Sequence, residues 1–250
     1  MRNLSSLTIF FPFLNDEKTV FKMITQAYLY GMKVTKDLEV IAIHGGPSRD
    51  NTYAEIKRMK KKFPKLIVVD KRNNKEGYAV IKYGFLKASK DWVFYTDGDG
   101  QYDLKDLKKL VDLKNSSGAD IVCGYKTKRH DPLSRIVLGN VYRFLSRIIF
   151  DLPIRDVDCD FRLIKKKYLD GIRLESEGGS VLPELIVKLK INGARFAEVP
   201  VSHYKREYGS SNYSVIRLIY EKLFGDFSLY WKIRKANNSI KVVNETSAPK

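Results

Sequence analysis

Two carboxylates two residues apart, Asp97 and Asp99, close the run Trp92-Val93-Phe94-Tyr95-Thr96-Asp97-Gly98-Asp99-Gly100-Gln101-Tyr102-Asp103. Its aromatic and β-branched start predicts a buried strand that delivers both side chains to a cleft at its end. A hard divalent cation takes oxygen ligands. Mg²⁺ takes one or two protein carboxylates and fills its other positions with water and substrate phosphates. A nucleoside diphosphate compound is the matching substrate. An EF-hand is excluded: counted from Asp97, Tyr102 stands where that loop needs glycine and Lys108 where it needs a bidentate glutamate. The plain alternative is a solvated acidic turn in a chain with 29 acidic residues.

The elements that must carry this pair follow from periodicity. Short apolar segments at 7–11, 38–43, 66–69, 92–96 and 121–123 read as strands. Between them Val20, Met23, Ile24, Ala27 and Tyr28 recur at helical spacing after Asn15, which reads as an N-cap. Leu104, Leu107, Leu110 and Val111 do the same after Asp103. This alternation predicts an α/β fold with a mainly parallel central sheet flanked by helices.

The chain has 250 residues, 44% of them hydrophobic, enough for one large core. A single domain over 1–236 is expected, with a donor-binding half at about 6–125, an acceptor- and membrane-facing half at about 126–236, and a disordered polar tail at 237–250. Two cysteines, Cys123 and Cys159, and the lack of a recognisable leader predict an intracellular chain with reduced thiols. The formal charge of +17 calls for a polyanionic partner or surface. With no RNA-recognition signature and no Cys/His zinc spacing, nucleic acid is not the expected one. No apolar run reaches the ~18 residues of a membrane-spanning helix.

Two stretches read as basic amphipathic helices. In 133–150, Leu133, Ile136, Val137, Val141, Phe144, Leu145, Ile148 and Ile149 form an apolar face and Arg135, Arg143 and Arg147 lie to another side. In 215–233, Leu218, Ile219, Leu223, Phe224, Phe227, Tyr230 and Trp231 mix with Arg217, Lys222 and Lys232. Each suits a membrane interface with its cations at lipid phosphates. The alternative is an ordinary core helix with solvated cations.

Further motifs stand in a fixed order: Phe11-Pro12-Phe13-Leu14-Asn15-Asp16-Glu17, His44-Gly45-Gly46-Pro47-Ser48-Arg49-Asp50-Asn51-Thr52, Asp97-Gly98-Asp99-Gly100-Gln101, Asp156-Val157-Asp158-Cys159-Asp160-Phe161-Arg162, and Glu198-Val199-Pro200 leading to Arg206-Glu207-Tyr208-Gly209-Ser210-Ser211. Over roughly residues 6–232 this order resembles the family 2 glycosyltransferases, especially the dolichyl-phosphate mannose synthase branch of polyprenyl-phosphate glycosyltransferases. The resemblance implies a GT-A type fold for nucleotide-diphospho-sugars, with C-terminal amphipathic interfacial helices. It implies Pro12, Asn15 and Glu17 at the base and ribose, and Asp97, Asp99 and Gln101 on Mg²⁺ or Mn²⁺ and the diphosphate, with Gly98 between them. Lys126 stands near the family's phosphate-binding Arg, and Arg206 resembles the residue of a loop that closes over the diphosphate.

His44-Gly45 departs from the pattern, since relatives carry aspartates there that meet the base. A histidine either reads the base edge or packs as a neutral turn residue. The segment Asn74-Lys75-Glu76-Gly77-Tyr78-Ala79 lacks one glycine of the pattern, and Asn212 stands where Lys is common.

The expected function is inverting, metal-dependent transfer of a hexose to a polyprenyl phosphate by a cytoplasmic, peripherally membrane-bound enzyme. Asp99, Arg206 and Asp158 carry the chemistry, and Arg129 and Arg135 hold the acceptor phosphate. A sugar-hydroxyl acceptor, as in surface polysaccharide synthesis, would need a base from Asp158, Asp160 or Glu184, with Asp160 favoured as a mere turn or capping residue. A catalytically silent basic protein that binds nucleic acid or membrane is the alternative of another class.

Overall fold

The computed structural model describes residues 4–127, 133–208, 225 and 229–231, with backbone alone at 133–135. Strands and helices alternate: β1 (Leu7–Phe13), α1 (Glu17–Val34), β2 (Leu38–His44), α2 (Thr52–Lys62), β3 (Ile67–Asp70), α3 (Ile81–Lys87), β4 (Trp92–Thr96), α4 (Leu107–Ser117), β5 (Ile121–Lys126), α5 (Leu133–Ile149), β6 (Phe161–Lys165), α6 (Val181–Ile191) and β7 (Phe196–Val201). All five expected strands are present. Among the described residues seven strands form one sheet in the order β3-β2-β1-β4-β6-β5-β7. Only β6 runs antiparallel, against β4 and β5, while the β1–β2, β1–β4, β2–β3 and β5–β7 pairs are parallel.

Strand alternation sorts side chains onto two cores. Ile9, Phe11, Phe13, Val40, Ala42 and Phe94 pack under the α1, α2 and α4 residues Met23, Ile24, Ile56, Met59, Leu107 and Leu110. Phe10, Ile41, Ile43, Val93 and Tyr95 face the opposite way, toward Ile81 and Phe85 of α3 and Leu185, Ile186 and Leu189 of α6. Order reverses between β1 and β4. Chain progress from β1 runs outward through β2 and β3, then returns to β4 on β1's other side. Open α/β sheets bind ligands at such a reversal, outside the carboxyl ends of the strands, and there Pro12 meets Gly98 through a Gly98 N–H to Pro12 O bond of 3.2 Å.

Local details differ from the sequence reading. Asn15 does not cap α1; it takes a left-handed φ of 60°, a conformation that Asn tolerates better than most residues, and the helix starts one residue later, with Asp16 at the cap position. Asp103 caps a short 3₁₀ turn, Leu104–Asp106, by accepting from Lys105 N–H, and α4 follows from Leu107.

Most of the 133–150 stretch is the helix α5, and Tyr142 and Phe150 join the second core. It turns Tyr142, Ser146 and Phe150 inward and leaves Val137, Val141, Phe144, Ile148 and Ile149 exposed, Phe144 at 64%. Of the 215–233 stretch only Gly225 and Leu229, Tyr230 and Trp231 are described; the rest, and the 237–250 tail, lie outside the described residues. Among those described, no helix is long and apolar enough to cross a membrane.

Candidate functional site

Fully buried β4 ends at Thr96, so Asp97-Gly98-Asp99 emerges at the sheet reversal. Gly98 is required by space: a Cβ there would stand 2.3 Å from Phe13 Cδ1 and 2.8 Å from Pro12 O. The close approach presses the loop onto β1, and Thr19 Oγ1 of α1 ties it from the other side with a 2.7 Å bond to Gly98 O.

The two carboxylates meet different partners. Asp99 accepts from Gln101 N–H at 3.0 Å and pairs with the Arg206 guanidinium at 2.5 Å. Asp97 accepts from the Tyr78 hydroxyl at 2.6 Å. Burial, then the nearby Asp160 and Asp99 carboxylates, pushes the Asp97 carboxyl far above the usual range. Asp160, 6% exposed, lies beside it, with Tyr95 Oη 3.4 Å from its Oδ1 and its own N–H donating to Tyr102 Oη at 3.2 Å. Burial raises the Asp160 carboxyl to about 6, while Arg162 and Lys126 draw it down. Asp160 is therefore part of the acidic centre, which corrects its reading as a turn or capping residue.

Lys126 Nζ sits at the same centre. It donates to Asp158 O at 2.8 Å, and its charge lowers the carboxyls of both Asp97 and Asp160.

The Arg206 loop is fastened to the carboxylate loop. Tyr204 N–H donates to Gln101 O at 2.7 Å, Gln101 Nε2 donates to Tyr204 O at 3.0 Å, and Tyr102 bridges His203. Gln101 thus spends its amide nitrogen on this loop and keeps Oε1 as the atom it can offer a cation. Gly209, Ser210, Ser211 and Asn212 lie outside the described residues.

At the β1 end, Asn15 Oδ1 accepts from Arg49 N–H at 2.6 Å and Glu17 Oε2 from Asn51 N–H at 2.9 Å, knitting the first loop to the second. Asp16, which the sequence reading passed over, is the residue there that senses the acidic centre. Burial raises its carboxyl to about 7, and the Asp99 carboxylate and Arg206 guanidinium act on it in opposite directions.

His44 ends β2, 4% exposed. Its Nε2 lies 3.0 Å from Ser48 Oγ, its ring stacks on Tyr53 at 5.0 Å, and Asp70 lies 3.7 Å from Nδ1. Burial holds its pKa below the usual range, so neutral pH finds a neutral ring. Gly45 continues the β1 pairing through its N–H to Phe13 O at 2.9 Å, and Asn74 Nδ2 donates to Gly45 O and Gly77 O. Beyond Asp70 an open cleft of about 330 Å³ is lined by Asp70, Lys71, Arg72, Asn73, Asn74 and Tyr83.

Glu184 is no candidate base, which corrects that expectation. It is 1% exposed and accepts from Glu175 N–H, Ser176 N–H and Lys188 Nζ. Arg129 lies outside the described residues, as does the side chain of Arg135 on α5.

The donor set suits a hard divalent cation that a substrate completes. Asp97 and Asp99 supply two carboxylates, and crowding of Asp97 by its neighbours is the charge imbalance a cation relieves. Among the described residues no group of three or more His, Cys, Asp or Glu side chains is arranged to hold a metal by itself.

The chain is 24% identical over 216 residues, 86% of its length, to an undecaprenyl-phosphate 4-deoxy-4-formamido-L-arabinose transferase of Salmonella choleraesuis, and it spans 65% of that relative's length. Glucosyl-3-phosphoglycerate synthase from Mycobacterium tuberculosis in complex with Mn²⁺, uridine diphosphate and phosphoglyceric acid shares its fold, with TM-score 0.60, 15% identity and coverage of 89% of this chain and 78% of that one. The same enzyme with uridine diphosphate alone gives TM-score 0.63 at 15% identity, over 90% and 80% of the two chains. The fold is thus of the GT-A type. The model for glycosyl transferase family 2 matches residues 8–173, and the chain belongs to that family.

Proposed function

We propose that the protein transfers a hexose from a nucleotide-diphospho-sugar to a polyprenyl phosphate at the cytoplasmic face of a membrane, with inversion at the anomeric carbon. The observation that carries this reading is the Asp97/Asp99 pair at the sheet reversal with Arg206 reaching Asp99. A donor diphosphate entering there meets a guanidinium whose planar fork suits phosphate oxygens. Mg²⁺ or Mn²⁺ bound by Asp97 and Asp99, with Gln101 Oε1 in reach of the same loop, would supply charge stabilisation for the leaving diphosphate.

The rest is done by the chain. Arg206 exchanges Asp99 for the diphosphate as the donor arrives. Lys126 adds positive charge at the Asp97/Asp160 edge, and Asp158 stands beside it. The neutral His44, Gly45, Pro12, Asn15 and Glu17 frame the nucleoside end of the cleft. A lipid phosphate is already ionised near pH 7, so it attacks without a strong base, and Arg129 and Arg135 are proposed to hold it. The outward apolar stripe of α5 suits seating in the interface, with arginines at anionic headgroups. The Salmonella choleraesuis relative, an undecaprenyl-phosphate 4-deoxy-4-formamido-L-arabinose transferase, supports the acceptor class.

Incubation of the protein with undecaprenyl phosphate vesicles, Mg²⁺ or Mn²⁺ and a panel of GDP- and UDP-hexoses tests this, with Asp99→Asn as control and lipid products read by mass spectrometry. A glycosylated lipid phosphate that the variant does not make is expected. Oligosaccharide without lipid product would move the acceptor to a sugar hydroxyl. Silence with every donor, together with salt-sensitive binding to any DNA, would overturn the enzymatic reading.

A further inference from the structure

Among the described residues Arg162 is the largest fully buried side chain, 0% exposed. Removing a guanidinium from water is costly unless its charge and donors are met, yet among the described residues no carboxylate pairs with this one directly. Its Nη1 donates to Tyr95 Oη at 2.6 Å and its Nη2 to Val157 O at 2.5 Å, and its Nε has no hydrogen-bond partner. The Tyr95 hydroxyl that receives Nη1 lies 3.4 Å from Asp160 Oδ1 and donates its own proton there. One hydroxyl therefore links the cation to the carboxylate.

Register explains the alignment. Tyr95 on β4 and Arg162 on antiparallel β6 are direct partners. Asp97 lies two residues beyond Tyr95, and Asp160 two residues before Arg162. Strand alternation thus stacks a carboxylate pair above a tyrosine–arginine pair on one face. Two carboxylates side by side repel each other, and a cation one pleat below offsets that repulsion. A leucine at 162 would fill the same core without it.

We infer that Arg162 is a positioning residue of the transfer site. Acting through the Tyr95 hydroxyl, it fixes the Asp160 carboxylate beside Asp97, where Asp160 accepts hydrogen bonds from hydroxyls of the donor sugar. A carboxylate in that place repels phosphate and favours hydroxyl donors, so the sugar end of the donor is its fitting ligand. The inference rests on the transferase reading above and assigns the part of the donor that this side of the site meets.

The test compares Tyr95→Phe, Arg162→Lys, Arg162→Met and Asp160→Asn with wild type. Titration calorimetry in Mn²⁺ measures affinity for UDP-glucose against UDP and for GDP-mannose against GDP, and turnover is measured with the donor that wild type uses. The Tyr95→Phe variant should keep nucleoside diphosphate affinity within about twofold. It should lose at least about tenfold in turnover and in the preference for the sugar-bearing donor, the size expected when a hydrogen bond to a charged group is lost. Joined to Asp160→Asn, it should add nothing further, because both act at one carboxylate. Arg162→Lys should recover part of what Arg162→Met loses; should the latter fail to fold, Tyr95→Phe and Arg162→Lys decide.

Unchanged turnover and donor preference in Tyr95→Phe would overturn this inference alone, as would additive losses in the double variant. A wild type that binds neither nucleotide overturns the transferase reading and this inference with it.

Discussion

Replacing Gly98 with alanine asks whether the carboxylate loop depends on its close approach to β1. The added Cβ would lie 2.3 Å and 2.5 Å from Phe13 Cδ1 and Cε1, and 2.8 Å from Pro12 O. Carbon atoms pack at about 3.5 Å or more, so the loop or the ring must retreat by about 1.2 Å. Phe13 is fully buried between strand neighbours, and Pro12 O is backbone that already accepts the Gly98 N–H; neither yields freely.

Overpacking of this kind costs about 1–3 kcal/mol, and the backbone collision places Gly98→Ala near the top of that range, about 3 kcal/mol. Moving the carboxylates by about 1 Å should also cost around a hundredfold in turnover. Urea unfolding measures the first effect and Mn²⁺-dependent nucleotide binding with turnover the second. Gly46→Ala is the control: its Cβ would meet nothing closer than Leu14 Cδ1 at 3.4 Å, and its stability should stay within about 0.5 kcal/mol. A Gly98→Ala variant as stable as wild type with unchanged binding would refute the steric argument.

Other expected outcomes follow from single contacts. Arg206→Ala removes the guanidinium from Asp99, so Mn²⁺ alone, followed by electron paramagnetic resonance, should bind several-fold more tightly while donor turnover falls; weaker Mn²⁺ binding would refute the competition. Burial pushes the Glu184 carboxyl up, but Lys188 and the N–H groups of Glu175 and Ser176 outweigh it and hold the pKa below the ordinary glutamate value. Its stabilising contribution is therefore complete at neutral pH and lost as pH falls below about 4.3. Glu184→Gln should cost about 2 kcal/mol at pH 7, and the gap to wild type in urea unfolding should close in acid. Phe144→Asp with Ile148→Asp, both on exposed positions of α5, should cut co-sedimentation with anionic vesicles at least about tenfold while leaving the melting temperature unchanged; equal sedimentation would remove α5 from the membrane.

The sequence is most legible where chemistry is local. Asp97 and Asp99 follow one buried strand, and the alternation of the first five strands is regular enough to place them at its end. The sixth and seventh strands are hidden for physical reasons. Phe161–Lys165 is five residues long and carries Arg162 and Lys165, and Phe196–Val201 contains Pro200, tolerated because β7 is an edge strand.

Distant pairings account for the remaining surprises. Asp160 joins Asp97 only because β6 lies antiparallel to β4, and Tyr78 reaches Asp97 from the 3₁₀ turn Gly77–Val80. Alternation did place Tyr95 on the face of Asp97, a signal that sequence reading could have used. At the first loop a one-residue shift of the helix start exchanged the roles of neighbours: Asp16 senses the acidic centre, while Asn15 and Glu17 bind the second loop.

Phosphorus NMR of the lipid product shows whether a lipid phosphate displaces a nucleoside diphosphate at the anomeric carbon. Displacement by the lipid phosphate gives one phosphodiester resonance in the lipid, free nucleoside diphosphate in equal amount, and neither with Asp99→Asn. A lipid-linked diphosphate with release of nucleoside monophosphate, or donor consumption with an unaltered lipid phosphate, would contradict it.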